Sequence, residues 1–266
     1  MTRVVAVIQG RLGSTRLPGK VLMPLGDRPM IAQIFRRLKA ASELDEVIIA
    51  TADNEANRPL VDFAKEAGLP VFAGEEEDLT DRFLKAGRAY GADALLRVTA
   101  DCPFVDPALV DQMVAAYKQQ AGEIDFLANN RPGSYPHGLD MEIIAMTALE
   151  RLWREETDPF KREWFTLNFC DLEGHAQNAY RCRNLPASKP LPRLRLTVDY
   201  AEDMEMARRI FAELDSPDTI FGLHDILELI DARPEIAQIN AMHGSETAAD
   251  GVARALDESL REKEAS

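Results

Sequence analysis

The sequence predicts an α/β fold of three layers, α/β/α, around a mostly parallel central sheet. Three observations predict it. Short apolar, β-branched runs alternate with longer segments whose apolar residues recur at three- and four-residue spacing, the pattern of buried strands alternating with amphipathic helices. Connections of helical length between successive strands imply βαβ units and a sheet covered on both faces. The breaks rich in glycine, proline and acids follow the strand-like runs, and open α/β sheets bind their ligands at the carboxyl ends of strands. A chain of 266 residues is long enough for one large domain of this kind, and we read 1–243 as that domain.

Residues 4–8 (VVAVI) form the first strand, and a loop from Gln9 to Lys20 follows. Pro24, Gly26 and Pro29 forbid an immediate long helix. The spacing then predicts helices over 30–41, 57–67 and 78–90, with strands at 46–51, 70–72 and 94–99 and a further helix starting near Pro107. Residues 125–192 read as a less regular insertion. Residues 194–199 alternate as a strand, 202–214 and 220–239 carry helical spacing, and 244–266 read as a polar tail, exposed or a frayed helix.

The first loop carries the chemistry. It places Arg11, Arg16 and Lys20 among Gly10, Gly13 and Gly19, with Ser14 and Thr15 between. Glycines let backbone N–H groups approach a ligand, and cations neutralise its charge, so the loop suits a polyphosphate. It is not a P-loop, which needs four residues before its Gly-Lys pair and then Ser or Thr; here five residues separate Gly13 from Gly19 and Val21 follows Lys20. Nor does a Gly-x-Gly-x-x-Gly fingerprint follow the strand.

The stretch GRLGSTRLPGKVLMPLGDRPMI resembles the signature of the sugar nucleotidyltransferases, and within them the cytidylyltransferases that make CMP-activated acidic sugars. The nearest branch is the spore coat polysaccharide protein F group, with the CMP-Kdo and CMP-sialic acid synthetases as relatives. Gly10-Arg11 stands where the family has Ala-Arg. The resemblance spans residues 3 to about 214. It implies the Rossmann-like nucleotidyltransferase sheet, CTP as donor, a small polyhydroxylated acceptor, Mg2+ as cofactor and a homodimer.

Two acids end strand-like runs. Asp101, in the segment VTADCPFV, can cap a turn or hold a hard cation, because magnesium takes carboxylate oxygens and substrate phosphates. Asp199, in LTVDYAED, can likewise cap the helix that follows. The resemblance gives both the metal role, and it implies that Arg11, Arg16, Lys20 and Asp101 are catalytic. It further implies a nucleotide pocket of Gly10, Gly13, Ser14, Asp53, Asp81 and Arg82 beside those cations. Glu202 and Asp203 read as first-turn acids suited to the helix dipole.

The acceptor side matches more diffusely. Asp140 and Glu142, in GLDMEII, and Arg162 and Glu163 are the expected substrate contacts. Trp164 replaces the histidine of the family's Arg-Glu-His segment, and the residues leave a substrate role and a packing patch equally open.

Composition narrows the class. A net charge of −14 argues against non-specific nucleic-acid binding and against anionic membrane surfaces. No run approaches a membrane span, and residues 4–8 are too short for a signal-peptide core. Cys102, Cys170 and Cys182 show no metal-ligand spacing and read as reduced thiols of a cytoplasmic protein. Three other readings remain: a glycosyltransferase of related fold, which lacks its Asp-x-Asp motif here, a transferase with a non-sugar acceptor, and a non-catalytic nucleotide sensor.

Overall fold

A computed structural model describes residues 2–244; the polar tail expected over 244–266 lies, past Gly244, outside the described residues. In chain order the elements are β1 (Val4–Gln9), β2 (Pro24–Leu25), β3 (Arg28–Pro29), α1 (Met30–Lys39), β4 (Glu46–Ala52), α2 (Arg58–Glu66), β5 (Val71–Gly74), α3 (Leu79–Ala89), β6 (Ala94–Thr99), α4 (Pro107–Gln119), β7 (Phe126–Ala128), β8 (Glu142–Ala145), α5 (Met146–Glu155), α6 (Pro159–Glu163), β9 (Cys182–Asn184), α7 (Ala201–Leu214), α8 (Leu223–Ala232) and α9 (Glu235–Gln238).

Seven strands form the central sheet in the order β5-β4-β1-β6-β8-β7-β9. β1 pairs in parallel with β4 on one side and β6 on the other. β8 runs antiparallel to both of its neighbours. The sheet is therefore mostly parallel, and β1 is apolar from Val4 to Ile8 because helices cover both faces: Val4, Val5, Ala6, Val7 and Ile8 have no exposed surface. The strand order runs outward from β1 to β5 and then restarts at β6 on the other flank of β1. The carboxyl ends of β1 and β6 thus lie side by side at the reversal, the place where such sheets hold ligands.

Helix α1 shows how the covering layers are built. Met30, Ile31, Ile34 and Leu38 fall on one stripe and are fully buried, while Arg36, Arg37 and Lys39 suit the negative end of the helix dipole. Among the described residues no helix is long and apolar enough to cross a membrane.

Three expectations change. Residues 194–199 are extended but do not join the sheet; Arg195 makes only an isolated bridge to His137. The slot beside β6 is taken by β8, so the segment runs over the loop ends, with Leu196 N–H donating to His137 O (2.7 Å) and Val198 N–H to Asp101 O (2.8 Å). The helix over 220–239 is two helices, broken at Pro234, which lacks the N–H an uninterrupted helix needs. Residues 125–192 are more regular than their composition suggests, contributing β7, β8 and β9 to the sheet.

Candidate active site

A cavity of about 320 Å³ opens at the carboxyl ends of β1 and β6, with Lys20, Asp101 and Asp199 on its wall. The β1 loop enters it because Gly10 packs against the β6 loop: a Cβ at Gly10 would stand 2.9 Å from that of Ala100. The one methyl this contact tolerates sits on the β6 side. Leu12 N–H donates to Asn57 Oδ1 at 2.8 Å and ties the loop down. Gly19 then turns the chain at φ 71°, a left-handed conformation that favours glycine, and aims Lys20 inward.

Lys20 is only 8% exposed. Its Nζ donates to Asp199 Oδ1 (2.9 Å) and to Val198 O (2.7 Å), and lies 3.5 Å from Asp101 Oδ2. Burial alone lowers a lysine pKa, but the charges of Asp101 and Asp199 outweigh it and hold Lys20 above its usual value. Asp101 behaves in the same way. Burial pushes its carboxyl up, and Lys20, Thr99 Oγ1 and Cys102 bring it down to about 2. Both groups are charged at neutral pH.

Asp199 gathers three cations. Arg16 Nη2 reaches Oδ1 at 2.9 Å beside Lys20, and Arg195 Nη2 reaches Oδ2 at 2.8 Å. Behind it stands Asp203, which takes Arg195 Nε (3.0 Å), the backbone N–H of Asp199 (2.9 Å) and Asn240 Nδ2 (2.9 Å). Asp203 is thus more than the first-turn acid its position suggests. Burial raises its carboxyl, and Arg195 and these donors bring it below the usual range. Tyr200 lies under the Arg16 guanidinium, 5.0 Å from ring to charge, and stacks on His243 at 4.0 Å. His243 thereby packs beside the segment that carries Asp199.

Of the sequence-nominated residues, the cavity is lined by Gly10, Arg11, Gly13, Ser14, Arg16, Lys20, Arg82, Asp101, Glu163 and Asp199. Arg82 donates to the carbonyls of Glu75 and Glu76 and so holds the β5–α3 loop at the rim. The others lie elsewhere. Asp53 is exposed, and its N–H donates to Gly74 O. Asp81 is buried against Trp153 Nε1 (2.9 Å) and Lys85 (2.7 Å). Arg162 brackets α6 to α3 through Asp78 and the carbonyls of Trp153 and Glu156. Glu142 is enclosed between Arg97 and Arg131. Asp140 accepts from Gly138 N–H (3.1 Å), lies 3.0 Å from His137 Nδ1 and lines a second cavity of about 640 Å³ with Tyr135, Lys189 and Arg193. Trp164 lines the first cavity.

Gln9, Glu76, Arg97 and Thr99 also line the first cavity and were not nominated. For Arg97 a signal existed: a lone arginine inside the apolar run 94–98. Arg195 and Asn240 gave none, since their partners are fixed only by the folded chain.

Residues 5–165 match the family model described as Cytidylyltransferase. The chain belongs to the cytidylyltransferase family. It is 31% identical over 248 residues to the spore coat polysaccharide biosynthesis protein SpsF of Bacillus subtilis (strain 168), covering 89% of this chain and 98% of that one. It is 33% identical over 127 residues to the 3-deoxy-manno-octulosonate cytidylyltransferase of Acidobacterium capsulatum, covering 47% of this chain and 50% of that one. Among solved structures, a cytidylyltransferase from Leptospira borgpetersenii superposes with a TM-score of 0.81 at 31% identity, over 90% of this chain and 98% of that one. The match over residues 5–165 takes in the β1 loop, β6 and Asp101.

Proposed function

We propose that this cytidylyltransferase moves CMP from CTP to the hydroxyl of an acidic sugar and releases pyrophosphate. The observation that carries the reading is Lys20 held between Asp101 and Asp199 at the carboxyl ends of β1 and β6, with Arg16 on the same carboxylate. Glycines of the β1 loop let the triphosphate approach, and Arg11, Arg16 and Lys20 neutralise it. The acceptor oxygen bonds to the α-phosphorus as the bond to the bridging oxygen breaks. The hydroxyl proton passes to solvent, and charge growing on the departing pyrophosphate falls to Arg16 and Lys20. Such a reaction depends on positioning and fixed charge more than on covalent help from the protein. The acidic acceptor is supported by the relative named for 3-deoxy-manno-octulosonate, and a role in polysaccharide biosynthesis by the spore coat relative.

The donor set suits Mg2+. Asp101 is ionised and half-buried, and Asp199 offers a second hard oxygen pair. Among the described residues no group of three or more acidic, histidine or cysteine side chains could hold a metal. That leaves two carboxylates plus substrate phosphates and water, which is how magnesium is commonly bound. Bound there, the ion would polarise the α-phosphate. A homodimer built through 125–192 and a cytoplasmic setting belong to the same reading.

Pyrophosphate release, measured with Mg2+ and each of the four nucleoside triphosphates across acidic sugars, tests the proposal. It expects release with CTP and one class of acid, strict need for the divalent ion, and loss on Lys20→Ala. Release from another triphosphate in preference to CTP, or none from any pair, would contradict it.

A further inference from the structure

Arg97 sits on β6 within an otherwise apolar run, two residues before Thr99 and on the same face of the sheet. Its cross-strand neighbour on β8 is Glu142. Glu142 is 2% exposed and divides its two oxygens between Arg97 Nη1 and Arg131 Nη2. Burial raises the Glu142 carboxyl, and the two arginines overcome this and hold it below the usual glutamate range. One negative charge therefore faces two positive ones, and this corner keeps a net positive charge.

The surplus faces the cavity through Arg97. The Arg131 side chain is 5% exposed, and its Nη1 and Nη2 also donate to Thr166 and to Cys170 O. The Arg97 side chain is 22% exposed and lines the cavity. Its Nε donates to Gln9 Oε1 at 2.7 Å and its Nη1 to Glu142, while its Nη2 makes no hydrogen bond among the described residues. Two anchors thus fix the plane of the guanidinium and leave one edge toward the cavity. A pre-set planar fork matches a carboxylate, and a half-buried cation is costly unless an anion meets it.

The anion is not well placed to be the triphosphate. Arg11, Arg16 and Lys20 all rise from the β1 loop, whereas Arg97 lies within β6, below Thr99 and beside β8, away from the β4 end where Ala52 lines the cavity. We propose that Arg97 is the specificity-determining residue that binds the carboxylate of the acceptor, so that this site takes acidic sugars and rejects their neutral counterparts. The assignment rests on the cytidylyl transfer proposed above.

The test compares wild type, Arg97→Gln and Arg97→Lys. Pyrophosphate release is followed with 3-deoxy-manno-octulosonate, N-acetylneuraminate and the methyl ester of each. CTP affinity is measured separately by calorimetry, and unfolding confirms that each variant folds, as expected while Arg131 still neutralises Glu142. Arg97→Gln is expected to raise KM for the acid by roughly 10–100-fold, to abolish the preference for acid over ester and to leave CTP affinity within about twofold. Arg97→Lys should recover part of the loss, because the charge remains and the fork does not. An unchanged KM for the acid, or an equal loss of CTP affinity, overturns the assignment. A wild type active only on the esters or other neutral sugars also overturns it while leaving cytidylyl transfer intact. A wild type that releases pyrophosphate with no pair sinks both.

Discussion

Lys20 and Asp199 are 179 positions apart in the chain and 2.9 Å apart in the fold. The pair closes the cavity from both sides: the β1 loop supplies the cation, and the segment before α7 supplies the carboxylate. Replacing Lys20 with Met should cut turnover by about a hundredfold or more, the usual cost of losing one fixed charge at a developing anion. It should also weaken CTP binding. Pyrophosphate release and a CTP titration on folded protein check both effects.

Asn240 reaches the same site through Asp203. It is buried, and its Nδ2 donates to Arg195 O (3.1 Å) and Asp203 Oδ1 (2.9 Å). Asn240→Ala should cost about 1–3 kcal/mol in urea unfolding, because it takes the donor from the buried Arg195 carbonyl and one of the two donors from Asp203 Oδ1. It should lower kcat more than it raises KM for CTP, since Asp199 loses its backing. Asn240→Asp should be worse than Asn240→Ala, because it brings a second carboxylate against Asp203.

Gly138 fixes where the segment before Asp199 lies. Its φ is 105°, and a Cβ there would stand 2.5 Å from Leu196 C and 2.7 Å from Thr197 N. Gly138→Ala should therefore destabilise by about 2 kcal/mol or more and break the His137–Leu196 pairing. Denaturant unfolding reads the first effect, and amide exchange at Leu196 reads the second.

The site's ionisation sets a pH dependence with a defined sign. Asp101 falls from its ordinary 3.8 to about 2 in the fold. Its contribution is complete above pH 3.8 and is lost as the pH drops toward 2. Wild type should lose more stability between pH 5 and pH 2 than Asp101→Asn, by on the order of 2 kcal/mol. Lys20 is raised, so its contribution is present below pH 10.5 and is lost only above that. Neither group should produce a limb in a pH–rate profile between pH 5 and 9.

His137 titrates nearer neutrality. Burial lowers it, and Asp140 and Asp101 overcome that, against Arg195, to raise it above 6.5. Its contribution is present below pH 6.5 and is lost as the pH rises through the folded value. Asp140→Asn should lower the His137 midpoint in an NMR titration and remove that pH-dependent part of the stability. An unchanged midpoint would contradict the pairing.

What was legible in the sequence was local. A VVAVI run followed by glycines and cations fixes a buried strand and an anion loop without knowledge of the rest. Asp101 and Asp199 were legible because each ends an apolar run. Glu142 was misleading because its partners depend on the register of β8 against β6, which places it opposite Arg97 and away from the cavity. Arg162 and Asp81 were conspicuous charges whose partners, Asp78 and Lys85, make them struts. Residues 194–199 alternate like a strand, yet β8 already occupies the neighbouring edge. Competition for a sheet position is settled by the whole chain and leaves no trace in a six-residue window.

The most direct measurement is the mass of the product formed from CTP, Mg2+ and an acidic sugar by wild type, Asp101→Asn and Asp199→Asn. The account predicts a CMP adduct of the sugar with wild type, falling by about a hundredfold or more in each variant while CTP still binds. Adduct formed at the wild-type rate by both variants, or no adduct from a wild type that binds CTP, would contradict it.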